Sequence, residues 1–268
     1  IYWMNNPIAY ITRGKNYLNP KLELLVDEVI DSESKKKLKN YLEKRLYELI
    51  SSELSNLVNL SKAKFENNYA RALCYQLFEN NGVIKRETVY QIIKNIYKDD
   101  RLNLRKVGVK IGRYHIFLPR MLKPSAVELR VKLWKLYFPK DKKNIIPKFG
   151  LNFIKDETKK NNNFLLICGF ENFNKFYIRV DILERLFLKI INNTKNGAFK
   201  IDTDMINLIG CSKENFFKLL KLMEYRPKKE KEEFFIYKPK LKKNRELKKK
   251  QKISKNNPFE KLSELRFR

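Results

Sequence analysis

The residues best suited to chemistry in this sequence are cations, and the chemistry they suit is the binding of phosphate. Between Leu104 and Tyr137 the stretch LRKVGVKIGRYHIFLPRMLKPSAVELRVKLWKLY places Arg105, Lys110, Arg113, Arg120, Lys123 and Arg130 three to seven residues apart. A second set, Lys213, Lys218 and Lys221, lies in KENFFKLLKLMEY. A third fills residues 238–255, ten basic residues against one acid, among them Lys242, Lys243, Lys248, Lys249 and Lys250. Guanidinium and ammonium groups hold phosphate by charge-assisted hydrogen bonds, and dense clusters do so through counterion release without sequence preference. The same residues also describe a solvated rim around an ordinary core, and the lysine-rich run also describes a solubilising tail.

Composition favours the first description. Lys and Arg number 59 against 30 acids, a formal charge of +29 over 268 residues. Such an excess costs self-repulsion in a folded chain and points to a polyanionic partner. The abundance of Lys, Asn, Ile and Phe also carries the mark of an AT-rich genome, which inflates Lys everywhere. Other chemistry is poorly served. His115 is the one histidine, set between Tyr114 and Ile116 in a strand-like run, and Cys74, Cys168 and Cys211 form no CxxC pair, which excludes a zinc site of the usual kind. Asp202 and Asp204 have the spacing of metal ligands but no third ligand nearby, and helix capping accounts for them. No apolar run nears the roughly 20 residues needed to span a bilayer, and no signal peptide is visible. The expected setting is reducing and cytoplasmic, with no membrane partner. The chain opens on Ile1 in IYWMNNP, which reads as a fragment of a longer protein.

The elements that must position these cations can be read from periodicity. Val107, Val109 and Ile111 alternate with smaller or polar residues, Gly112-Arg113 can turn, and Tyr114 to Leu118 is strand-like, so a β-hairpin is expected. Pro119 stops its second strand. Pro124 opens a helix from Ser125 to Tyr137 with too many apolar residues for one stripe, which predicts packing on both sides. Upstream, Pro7, Gly14 and Pro20 suggest short helices and turns over residues 1–29. One long amphipathic helix, capped by Asp31, Ser32 or Ser34, is expected through Leu57, a second over residues 65–80 with Gly82 as its stop, and a third over residues 87–97.

Downstream, residues 138–163 are rich in Pro, Lys and Asn and read as an irregular connection. A short strand over residues 177–180 leads to a helix capped by Asp181. A loop, KNGAFKID, leads to a helix capped by Asp202 or Thr203. Gly210-Cys211-Ser212 then separates it from another helix, which is helix-turn-helix grammar. The segment from Tyr225 to Pro239 reads as a wing. The expected chain is mainly α with small β-hairpins: a helical platform with an inserted hairpin (1–137), an irregular linker (138–163), a winged-helix-like domain (164–239), and a basic, disordered tail (240–268) ending in a hydrophobic hook of Phe259, Leu262 and Leu265.

Five stretches carry a family likeness: NYLNPKLELLVDE (residues 16–28), VGVKIGRYHIFLPRMLKPSAVELRVKLW (107–134), CGF with IRVDILERL (168–186), MINLIGCSKENFFKLLKLMEYR (205–226) and NPFEKL (257–262). On these the chain resembles the C-terminal third of alphaproteobacterial superfamily 2 helicases related to the mitochondrial RNA-degradosome helicase, the MgpS-like group. The resemblance implies an ATP- and Mg-dependent motor that translocates on RNA, or alternatively DNA. It equally implies that this motor lies upstream, because no GxxxxGK[ST] loop or DExH box occurs here and no cofactor is expected in this chain. No catalytic residue is therefore expected. The chain would be an accessory region guiding single-stranded RNA beside the upstream motor domains. Two alternatives stand beside this: a winged-helix DNA-binding regulator, and an adaptor whose hook recruits a nuclease partner.

Overall fold

The computed structural model describes residues 1–25, 31–138, 143–156, 162–228 and 231–238. Helices account for about half of it, and the strands form small antiparallel sheets.

The chain begins with strands where short helices were expected. β1 (Tyr2–Trp3) pairs with β2 (Asn6–Pro7), and β3 (Ala9–Asn16) pairs with β4 (Asn19–Leu24). The side chain of Asn16 accepts hydrogen bonds from the backbone N–H groups of Leu18 and Asn19 at 3.0 Å, an Asx turn that makes the second hairpin. Gly14 is needed for close approach, since a Cβ there would stand 1.8 Å from the Asn19 carbonyl oxygen.

The single long helix is in fact two. α1 (Ser32–Glu53) starts where the Asp31 carboxylate accepts from the Ser34 N–H at 2.9 Å, and it stops at Leu54. Leu54 leaves helical geometry at φ −104°, ψ 29° and buries its side chain before α2 (Ser55–Lys62) begins. Asn67 caps α3 (Asn68–Glu79), which ends through Asn81 and Gly82, both at positive φ. β5 (Val83–Lys85) is followed by a 3-10 turn (Arg86–Val89) and α4 (Tyr90–Lys94), which occupy much of the region of the expected third helix. An unexpected α5 (Lys98–Lys106) follows, whose one buried residue is Leu104.

The expected hairpin is present but shorter. β6 (Lys110–Ile111) pairs with β7 (His115–Phe117), and the Gly112 N–H closes the turn on the His115 carbonyl at 2.8 Å. β7 also pairs with β5, so it is the centre of a three-stranded sheet. Residues 107–109 end α5 instead of joining the strand, because Gly108 turns the chain at φ 96°. After a 3-10 turn (Pro119–Leu122), Pro124 opens α6 (Pro124–Tyr137), which is buried on two sides as expected. Ala126 and Leu133 face the core built by α1 to α5. Val127, Val131 and Trp134 face a second core with Phe164, Phe170 and Tyr177.

The stretch expected to be irregular holds a strand, β8 (Phe153–Lys155), and α7 begins near its end (Asn162–Ile167). β9 (Phe170–Phe173) and β10 (Phe176–Arg179) complete the sheet in the order β8-β10-β9. Phe153 of β8 packs against Phe176 at 5.3 Å between ring centres, enough apolar contact to order a polar neighbourhood. α8 (Val180–Asn193) is not capped by Asp181. That carboxylate pairs with the Arg179 guanidinium at 2.6 Å instead.

Asn196 and Gly197, both at positive φ, turn β11 (Thr194–Lys195) into β12 (Ala198–Lys200) where a plain loop was expected. Asp202 caps α9 (Thr203–Ile209), Gly210 ends it at φ 74°, and Ser212 caps α10 (Lys213–Leu222). β13 (Tyr225–Lys228) and β14 (Lys231–Tyr237) close a four-stranded antiparallel sheet in the order β11-β12-β14-β13. Phe216, Leu219 and Leu220 of α10 pack with Met205, Ile209, Phe199 and Phe235 in this unit's core. Residues 239–268, including the lysine-rich run and the hydrophobic hook, lie outside the described residues. Among the described residues no helix is long and apolar enough to cross a membrane.

Candidate nucleic-acid interface

The six cations of the central stretch do not form one surface. Lys110, on β6, holds its ammonium 5.7 Å from the centre of the Phe117 ring, and Arg120 within the 3-10 turn and Lys123 after it precede α6, all exposed. Arg105 projects from α5 into a shallow hollow shared with Asp99, Leu102, Asn103 and Lys106.

Arg130 corrects the sequence expectation outright. Its residue is 1 % exposed, and the two terminal nitrogens of its guanidinium donate to the carbonyls of Asn81 and Ile167. Burial pushes its pKa down to about 10. Position 130 lies on the buried face of α6 between the two cores, so this cation ties the α3 end to α7 and cannot reach a phosphate.

Arg113 is placed differently, at the tip of the β6–β7 hairpin where that tip meets α8. Glu184 of α8 accepts from the backbone N–H groups of Arg113, Tyr114 and His115 at 2.6, 2.8 and 2.9 Å. A carboxylate holding three backbone donors fixes the hairpin firmly. Gly112 makes room for it, since a Cβ there would lie 2.4 Å from the Glu184 carboxyl carbon. The Arg113 side chain stays exposed, over the Phe187 ring at 5.7 Å.

Beside this tip a cleft of about 630 Å³ separates the two units. Lys85, Arg86, Tyr90 and Arg113 line it from one side, Phe173 and Tyr237 from the other. His115, in a strand as expected and buried there, reaches it with Nε2 2.7 Å from Glu171, and Lys85 meets the other oxygen of that carboxylate at 2.6 Å. Burial opposes ionisation of Glu171, but hydrogen bonds from His115 and Lys85 outweigh it and hold the carboxyl below its usual pKa. Arg86 donates to the Gly112 carbonyl at 2.8 Å. Glu87 and Glu224 also line the cleft, so its charge is mixed. Lys85, Arg86, Tyr90, Phe173 and Tyr237 were not foreseen as site residues. The Lys-Arg pair directly after the apolar Val83-Ile84 was the available signal.

The second set of cations fares best. With about 100° per helical residue, Lys221 and Lys218 lie about 80° and 140° round α10 from Lys213, while Leu219, Phe216 and Leu220 fall at about 240° to 340°. Lys218 and Lys221 therefore share the face away from the core residues, Lys213 stands at its edge about 20° from Leu220, and all three lysines are exposed. Lys213 stacks over Phe217 at 5.8 Å and neighbours Glu233, whose carboxylate pairs with Lys200 at 2.9 Å. Neither Lys218 nor Lys221 forms an ion pair among the described residues. Lys242, Lys243, Lys248, Lys249 and Lys250 lie outside the described residues.

Cys74 and Cys168 are buried thiols whose pKa burial pushes up to about 12, and Cys211 is pushed up to about 11. Neutral thiols of this kind are poor nucleophiles. Among the described residues no group of three potential metal ligands occurs. No known protein family, curated protein or solved structure matches the chain.

Proposed function

We propose that the chain is a nucleic-acid-binding accessory region that guides single-stranded RNA, as the likeness to the C-terminal third of ATP-dependent RNA helicases suggests, beside a motor that is not part of it. The observation that carries this reading is the outward side of α10, on which Lys218 and Lys221 stand together with Lys213 at the edge, while Phe216, Leu219 and Leu220 anchor the helix from behind. Exposed ammonium groups on a rigid helix suit a phosphate backbone.

The order α8, β12, α9, α10, β13, β14 supports a winged-helix-like reading of this unit, with α10 as the presented helix and the β13–β14 hairpin as the wing. The end of α10 at Leu222 and Met223 lines the inter-unit cleft, so a strand following the helix face arrives at the aromatic walls of Tyr90, Phe173 and Tyr237. Exposed aromatics next to cations favour unpaired bases over a duplex, which offers only base-pair edges and backbone.

The test is an anisotropy titration of single- and double-stranded RNA and DNA against the chain and its Lys213→Gln/Lys218→Gln/Lys221→Gln variant. Tighter binding of single-stranded RNA, weakened by the substitutions, is expected. Preference for duplex DNA would favour a regulator, and feeble binding of every nucleic acid would favour an adaptor.

A further inference from the structure

The cleft between the units is shaped for more than backbone contact. Tyr90 and Tyr237 are 57 % and 47 % exposed, one contributed by each unit, with Phe173 half-buried beside them. Aromatic faces left open in a cleft of mixed polarity can take a planar partner. Its volume of about 630 Å³ falls within the ~300–1,000 Å³ typical of small-ligand sites.

The charges narrow the ligand. Glu171 is already engaged by Lys85 and His115, and Glu224 accepts from the Tyr237 hydroxyl at 3.2 Å. Arg86 spends one terminal nitrogen on the Gly112 carbonyl, and a guanidinium has five N–H donors in all. Arg113 is exposed at the rim. Two guanidinium groups suit one phosphate, while Glu87, Glu171 and Glu224 in the same cleft disfavour a longer polyanion.

We infer that the cleft holds a single nucleotide, its base against Tyr90 and Tyr237 and its phosphate by Arg86 and Arg113. This deepens the single-strand reading and rests on it for the source of the nucleotide. Glu224, at φ 69°, turns the chain between α10 and β13 at the cleft's edge.

The experiment uses the full 268-residue chain. It is photocrosslinked to a short single-stranded RNA carrying one 5-iodouridine and, separately, to free 5-iodouridine monophosphate, and the adduct is mapped by mass spectrometry. Binding of the same RNA is measured by anisotropy for Tyr90→Ala, Tyr237→Ala and the corresponding Phe variants. The expected result is an adduct at Tyr90, Phe173 or Tyr237, affinity roughly tenfold weaker for each Ala variant, and recovery with Phe, which keeps the stacking face. Adduct formation with the free monophosphate marks a nucleotide site in its own right. Adducts with the RNA alone mark a strand site, and either supports the inference. If RNA binds but crosslinks only elsewhere, or both Ala variants bind unchanged, the inference is overturned while the single-strand reading survives. If no RNA binds and the free monophosphate still crosslinks in the cleft, the single-strand reading fails and the nucleotide site stands. If neither probe reaches the cleft and no RNA binds, both are overturned.

Discussion

His115 and Glu171 meet at 2.7 Å across the junction of the two units, on a carboxylate whose other oxygen holds Lys85 at 2.6 Å. The one histidine of the chain is thus spent on joining its parts. The neighbouring Glu184 joins them a second time through three backbone N–H groups of the hairpin tip. A strand track that crosses from one unit to the other needs these joints to be stiff.

Glu171 makes the junction acid-sensitive. Its carboxyl titrates lower in the folded chain than its ordinary value of 4.5, so it stabilises the fold fully above that pH and loses the contribution as pH falls through the folded value. Chemical denaturation across pH 3 to 7 should show stability declining on the acid side, and Glu171→Gln should flatten that part of the curve. An unchanged acid limb in the variant would remove Glu171 from the account.

Glu184→Ala leaves three backbone donors without their acceptor, that of His115 buried and those of Arg113 and Tyr114 part-buried. A loss of about 3 kcal/mol is expected, read as a lowered midpoint in urea, since unmet buried donors cost about 1–3 kcal/mol each but some find other partners. Gly112→Ala should cost about 1–3 kcal/mol by driving a methyl group into the same carboxylate.

Arg130 and Arg113 should separate cleanly. Arg130→Ala strips two carbonyls of their donor inside the body and should destabilise the chain by about 2–6 kcal/mol, about 1–3 for each unmet carbonyl, while folded molecules bind RNA as before. Arg113→Ala removes an exposed side chain, so thermal stability should hold while RNA affinity falls.

Cys74 and Cys168 should resist alkylation by iodoacetamide at neutral pH in the native chain and react fully in denaturant, because burial holds both thiols near pKa 12. Native labelling at either position would show that the cores around them open.

Where local chemistry decides, residues told the structure in advance. Pro124 at the first turn of α6, Gly210 and Ser212 between α9 and α10, and Asp31 before α1 all act as their types require. Where contacts distant in sequence decide, periodicity misled. The run around Leu54 is apolar at helical spacing on both sides, and only its burial explains the break. The strands before residue 25 are set by pairing and an Asx turn, which Pro7, Gly14 and Pro20 disguised. Arg130 looked like its basic neighbours because nothing within α6 reveals that Asn81 and Ile167 converge on it. The cleft drew the least notice, since Tyr90 and Tyr237 are 147 residues apart in the chain (237 minus 90).

The most direct test of the central claim is the salt dependence of single-stranded RNA binding by the full chain, by residues 1–238, and by residues 1–238 with Lys213, Lys218 and Lys221 changed to Gln. The account predicts that residues 1–238 still bind, with affinity falling as salt rises at about 0.7 logarithmic units per phosphate contact, and that the three substitutions lower both affinity and slope. Binding that disappears with residues 239–268, or a slope indifferent to the α10 lysines, would contradict it.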